Sequence, residues 1–237
     1  MLPVMTTALS GALAYQATLD EVAHNLANLS TPAFRPTRLA LAEAAEGGVI
    51  PAARRLSARP GPLAETGAPF DMALPGPGFF RVRLPDGNYA YTRRGDFRVD
   101  GTGRLVTHGG LPLDPEIRIP PDRRVEVRPD GTVVTFGPDG AEAVLGRLEV
   151  FTFDRPENLV PLGGGLFREP AGETGLTGLA GPAQPQAVVT GYLEMSAVDL
   201  TGEFARLIQA QRAYVLNLNI IRDQDRLLGE AIELARG

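Results

Sequence analysis

Apolar residues recur along this chain in two different rhythms. Met5, Leu9, Ala12, Gln16, Leu19, Ala23 and Leu26 follow alternating spacings of four and three, the repeat of one narrow helical seam. Pro3 suits a first turn, and Gly11 costs on the order of 1 kcal/mol relative to Ala in a helix interior. Pro32 disfavours helical geometry at Thr31, so the pattern predicts a helix ending between Asn28 and Ser30. The same rhythm returns at Leu200, Phe204, Leu207, Gln211, Tyr214, Leu218, Ile221, Asp225, Leu228, Ile232 and Ala235. Asp199 or Ser196 is placed to cap its start. Ile208 and Val215 widen that stripe, so this helix is expected to have more than one neighbour. Gln211 and Asp225 make the seam less sticky but more particular about register.

Between these ends the period shortens to two. In "GFFRVRLPDGNYAYTRRGDFRVDGTGRLVTHGG" Phe80, Val82 and Leu84 share one face, Pro85-Asp86-Gly87-Asn88 turns the chain, and Tyr89 and Tyr91 resume. Further Asp-Gly turns stand at Asp100-Gly101, Asp130-Gly131 and Asp139-Gly140. "RLEVFTF", residues 147–153, reads as another strand, and the Gly/Pro/Thr-rich residues 170–187 as loop. Residues 36–62 form an Ala/Pro/Arg-rich connector without clear periodicity.

The expected class is α+β: N- and C-terminal helices paired as a coiled coil, with an intervening, mainly antiparallel β domain. Residues 1–35 and 196–237 make a discontinuous helical domain, 36–62 the connector and 63–195 the β-rich domain. A helix with a bare apolar stripe is not stable alone. Two such helices sharing one seam solve that problem most economically by pairing.

Composition narrows the chemistry. Net charge is −5 with pI ≈ 5.2, so there is no basic field to hold nucleic acid. All 23 basic residues are Arg, which suits bidentate pairing, although coding bias is a simpler cause. The absence of Cys excludes disulfides, thiolate catalysis and Cys-ligated metals. His24 and His108 are far apart in sequence, with His108 expected on the surface of a "THGG" turn. No run approaches the roughly 18 apolar residues of a membrane span, so membrane insertion is not expected. "MLPVMTTALSGALAYQ" lacks a basic n-region and reads as a mature helix.

No constellation assembles a reaction, and no cofactor is expected. "GPGFF" and "GGGLF" lack the Lys-Ser/Thr of a phosphate loop. Ser10, Ser30, Ser57 and Ser196 have no neighbouring His, while Asp96/Asp100 and Asp223/Asp225 fit solvated turns and helix ends. Asn25 and Asn28 admit three readings. They can cap a helix C-terminus, fix register against a partner as a buried polar residue does in a coiled coil, or bind a ligand. Gln16 and Gln211 invite the second.

Four stretches together resemble one family. "NLANLSTPAFR", "GPLAETGAPFDMALPGPGFFRV", "YTRRGDFRVDGTGRLVTHGGLPL" and "GYLEMSAVDL" followed by "LIQAQRAYVLNLNII" are similar, in that order, to the axial proteins of the bacterial flagellum, specifically basal-body rod proteins of the FlgF/FlgG type. Asn25, Asn28, Gln209, Gln211, Arg212, Tyr214 and Asn217 match the family pattern. Ala33 stands where the family usually has Gly, and His24 and Ala197 replace common asparagines. The length suits a proximal-rod member, whereas the C-terminal helix looks more like the distal-rod type.

The resemblance implies a structural subunit, not an enzyme. It would polymerise into a helical tube that transmits motor torque to the hook, with paired helices inside and the β domain outside. Its partners would be copies of itself, other rod and hook proteins and the flagellar type III export apparatus. Its place would be the basal body in the cell envelope, reached without a cleaved signal peptide. Assembly residues would be Leu9, Gln16, Leu19, Asn25, Leu26, Asn28 and Phe34, with Phe204, Leu207, Gln211, Arg212, Tyr214, Asn217, Leu218 and Ile221 from the C-terminal helix. The competing class is a β-rich binding module or hydrolase with oligomerising helices, for which Arg93, Asp96 and Asp114 are the first candidates.

Overall fold

The computed structural model describes residues 2–44, 47–57, 59–121, 123–137, 140–170, 176–179 and 188–236. The chain divides into two compact units. The first holds Met1–Leu29, Pro36–Ser57 and Val198–Gly237; the second holds Ser30–Arg35 and Ala58–Ala197.

In the first unit, helix α1 (Leu2–Ala27) packs against helix α2 (Leu200–Leu234) and against a hairpin of strands β1 (Thr37–Glu43) and β2 (Val49–Leu56). α1 ends at Ala27, one residue ahead of the expected range, and a turn over 28–30 leads to Pro32. At the start of α2 the Asp199 carboxylate accepts from the Thr201 amide at 3.1 Å, capping the helix. The hairpin lies where the sequence reads as an aperiodic connector. β1 and β2 are antiparallel with a bulge at Ala40/Leu41. β2 has six consecutive exposed residues, so its two faces are alike and no alternation marks it as a strand.

The second unit is antiparallel throughout its described pairings. Its largest sheet runs, edge to edge, Val160–Gly163, Leu166–Arg168, Tyr89–Thr92, Phe79–Arg83, Val150–Phe153, Leu176–Leu179, with Leu113–Asp114 also pairing to Phe79–Arg83. Arg124–Val127, Thr132–Phe136 and Glu142–Arg147 form a second sheet. Phe80, Val82 and Ala90 bury one face with Met72, Leu74, Leu105, Ile117 and Val133. Tyr91, Phe151, Phe153, Phe167 and Phe79 meet edge-on elsewhere in the unit, with centroids 4.8 to 6.0 Å apart.

Two stretches differ from the sequence reading. Residues 147–153 are two strands in different sheets, broken where the Leu148 amide turns aside to the Gly131 carbonyl at 2.8 Å. Within 170–187, Leu176–Leu179 is a strand paired to Val150–Phe153, and 171–175 and 180–187 lie outside the described residues. The Asp-Gly turns form as read. At Asp86-Gly87, Gly87 takes φ 86 and the Asp86 carboxylate accepts from the Asn88 amide at 3.0 Å. Asp139 lies outside the described residues.

The first residues of the second unit are tied to its last. The Ala33 amide donates to the Glu194 carbonyl at 2.7 Å and the Ala197 amide to the Phe34 carbonyl at 2.9 Å. Ala33 does this in the left-handed region, at φ 54, the one non-glycine residue there among those described. Leu63–Glu65 pairs with Tyr192–Glu194 beside it. Glu194 is buried here against Arg93, whose Nε donates to Glu194 Oε2 at 2.6 Å. Arg93 spends its other donors on the carbonyls of Leu74, Gly76 and Gly78 at 2.7 to 2.8 Å.

Candidate assembly surface

Three residue pairs fix how α1 meets α2. Gly11 stands so close to Asn217 that a Cβ there would sit 2.6 Å from Asn217 Oδ1. Arg206 Nη1 pairs with Glu21 Oε1 at 3.2 Å, and Asn25 Nδ2 donates to Glu203 Oε2 at 3.3 Å. Advancing along α1 retreats along α2, so the helices are antiparallel. The glycine that looks costly from propensity alone permits the approach. The register carries the start of α1 to about Leu228 of α2. The last turns of α2 therefore lie beyond α1, with Ile232 and Leu234 exposed.

Asn25 joins both helices to the hairpin. Its Oδ1 accepts from the Thr37 amide at 3.2 Å, and its Nδ2 donates to the Thr37 carbonyl at 3.1 Å. Arg38, from the same strand, reaches Glu203 Oε1 at 2.6 Å. The Glu21 and Glu203 side chains are fully buried. Burial pushes the Glu21 carboxyl above its ordinary value, against a hydrogen bond from the Leu39 backbone. Asn28 donates to the His24 carbonyl at 2.9 Å, four residues back.

Several large apolar residues of each helix are exposed. α1 buries Ala8, Gly11, Ala12, Ala14, Glu21, Val22 and Asn25, while Val4, Leu9 and Leu13 are exposed, Leu13 at 57%. Of the expected α1 seam, Ala12 is buried, Met5, Leu19 and Leu26 are half-buried, and Leu9, Gln16 and Ala23 are exposed. On α2, Leu207, Tyr214, Asn217, Leu218 and Ile221 are half-buried, as are Leu19, Leu26 and Asn28 on α1 and its following turn. Gln16, Gln211 and Arg212 are exposed, as are Phe204 at 49% and Ile208 at 50%. Phe34 is half-buried in the other unit. Leu200, Phe204, Ile208 and Val215 follow helical spacing and form one uncovered ridge, and Leu216, Ile220 and Leu227 a second.

The helix pair approaches closely at Gly11 and leaves two apolar ridges of α2 uncovered. Comparison with known proteins identifies the group to which the chain is similar. Residues 73–135 match the family model "Flagellar hook protein FlgE/F/G D1 domain", and residues 189–234 match "Flagellar basal body rod FlgEFG protein C-terminal". The flagellar basal-body rod protein FlgG of Bacillus subtilis (strain 168) is 32% identical over 265 residues, covering 100% of both chains. FlgG of Buchnera aphidicola subsp. Schizaphis graminum is also 32% identical, over 99% of this chain and 100% of its own. FlgF of Escherichia coli (strain K12) is 33% identical over 90% of each.

The chain belongs to the flagellar basal-body rod protein family.

In this rod-family chain the candidates for a competing active site are dispersed into separate structural pairs. Arg93 is held by Glu194 and three carbonyls, Asp96 pairs with Arg94 Nε at 3.0 Å, and Asp114 pairs with Arg81. Arg81 itself lies over the rings of Phe151 and Tyr89, at 4.1 and 4.5 Å. Among the described residues no His, Asp or Glu cluster has metal-binding geometry, and no helix is long and apolar enough to cross a membrane. Sequence reasoning missed Glu21, Arg38, Glu203 and Arg206. A readable signal exists in retrospect: Glu21 stands four residues before Asn25, and Glu203 four before Leu207, so each acid shares a helix face with an inward residue.

Proposed function

We propose that this chain polymerises through the uncovered apolar faces of α1 and α2, and that in the assembly the two helices and their neighbours pack as a coiled coil. The family makes it a structural subunit of the flagellar basal-body rod. The carrying observation is the uncovered ridge of Leu200, Phe204, Ile208 and Val215, together with Leu9 and Leu13. Burying such side chains stabilises by roughly 1.5–3 kcal/mol each, so a neighbouring copy gains most by covering them. A contact between different patches of identical subunits that does not close into a ring extends into a helix of subunits.

In this reading the discontinuous helical domain, 1–35 with 196–237, makes the polymer, and the β-rich 63–195 stands apart from that contact. Other rod and hook proteins join at its ends, and delivery is by the flagellar type III apparatus. The experiment is deletion of residues 1–29, or of 200–237, in cells that lack the intact protein. The β-rich unit is expected to fold, and the truncated chain to be absent from purified basal bodies. Incorporation of either truncation at the normal level contradicts the proposal.

A further inference from the structure

We propose that Glu21 is the proton-binding member of a buried carboxylate pair, so that the helical unit is stabilised as its surroundings become mildly acidic. This goes beyond polymerisation and can be tested without it.

Glu21 and Glu203 are both fully buried and lean on a single guanidinium nitrogen. Arg206 Nη1 lies 3.2 Å from Glu21 Oε1 and 3.7 Å from Glu203 Oε2. Their other partners are unequal. Glu203 also receives Arg38 at 2.6 Å and Asn25 at 3.3 Å. For Glu21, the Leu39 backbone supplies a hydrogen bond and Arg38 and Arg54 act through space. The charged groups facing Glu21 are therefore Glu203 and Arg206 from α2, Arg38 from β1 and Arg54 from β2.

A buried carboxylate is stable as an anion only where cations and donors offset its lost hydration. Where two carboxylates share one cation, the less well compensated one takes up a proton first. At this junction that one is Glu21, because Glu203 has Arg38 at 2.6 Å and the Asn25 amide at 3.3 Å in addition to its share of Arg206. Burial raises the Glu21 carboxyl from its ordinary value of 4.5, and the like charge of Glu203 adds to the rise. Neutralising Glu21 removes that repulsion and leaves Arg206 to Glu203.

The direction of the linkage follows. The folded chain holds a proton on Glu21 at pH values where the unfolded chain has already released it. Stability therefore rises as pH falls through the raised value toward 4.5, and levels off below 4.5. The deciding experiment uses the full-length chain. Glutamate carboxyl 13C titration locates Glu21 by its loss in Glu21→Gln, and helix melting is followed at about pH 7 and about pH 5. The expected result is a Glu21 midpoint above the usual glutamate value of about 4.3. Melting should also occur at a higher temperature at the lower pH, a difference that Glu21→Gln abolishes and Glu230→Gln, on the exposed face of α2, preserves. A Glu21 midpoint at or below the usual value overturns the proposal, as does an unchanged pH dependence in a folded Glu21→Gln. Should that variant not fold, assignment from the intact chain's own spectra decides.

Discussion

Asn25 holds the backbone of Thr37 with both ends of its side-chain amide, accepting from the amide at 3.2 Å and donating to the carbonyl at 3.1 Å. A helix residue thereby supplies a strand with the pair of bonds that another strand would give. The same nitrogen reaches Glu203 of α2 at 3.3 Å, so three elements meet at one fully buried amide.

Replacing Asn25 by Ala strands both backbone groups of Thr37 and removes a donor from a buried carboxylate. Net hydrogen bonds of about 1 kcal/mol each, plus the penalty for unsatisfied groups, predict a loss of about 2–4 kcal/mol. Asn28→Ala removes the bond to the His24 carbonyl at a half-buried position and should cost less than Asn25→Ala. Urea unfolding followed by helical circular dichroism measures both; equal losses would contradict the distinction.

Arg93 predicts a larger effect in the β-rich unit. Glu194 lies almost wholly buried beside it, and three carbonyls end on the same guanidinium. Arg93→Met leaves that carboxylate with Arg35 at 4.0 Å and the Gly61 amide at 3.1 Å. The expected cost is about 3–5 kcal/mol. Arg93→Lys should recover little, because one ammonium cannot reproduce the planar fork. Denaturant unfolding followed by near-ultraviolet circular dichroism of the aromatic cluster reads both variants.

Acid acts on that unit in the opposite sense to Glu21. Hydrogen bonds from Thr102, at 2.7 Å from its hydroxyl, and from the Arg104 amide, at 3.0 Å, hold Asp100 well below the usual carboxylate range. A carboxyl depressed by folding contributes stability above its ordinary value of 3.8, and that contribution is lost as pH falls from there through the folded value. Asp100→Asn should therefore be less stable than the parent at neutral pH and converge on it in strong acid. Thermal melts of the two proteins across that range measure the convergence; parallel curves would contradict it.

Much of this architecture is legible in the sequence, and the reasons for the rest are physical. Pro32, Asp199 and the Asp-Gly turns act locally, so helix ends and hairpins follow from neighbouring residues alone. A repeat of four and three says that a helix has an apolar face; it does not say which neighbour covers it. Leu9 and Phe204 belong to such repeats and are exposed, whereas Gly11, which breaks no rhythm and adds no bulk, marks where the helices approach. β2 is invisible because its exposed residues leave no alternation to detect. Glu21 and Glu203 are hidden for another reason: a charged residue reads as solvated until the arginines beside it are located in space.

The outward ridge of α2 carries the assembly reading and is open to direct measurement. Phe204→Gln combined with Ile208→Gln removes apolar surface without entering the contact with α1. Basal bodies would be purified from cells in which this variant is the sole copy, and its amount compared with that in whole-cell extract. The expected result is a folded chain present in the extract and missing from the basal bodies. Recovery in basal bodies at the parent level would show that these side chains do not hold one subunit to the next.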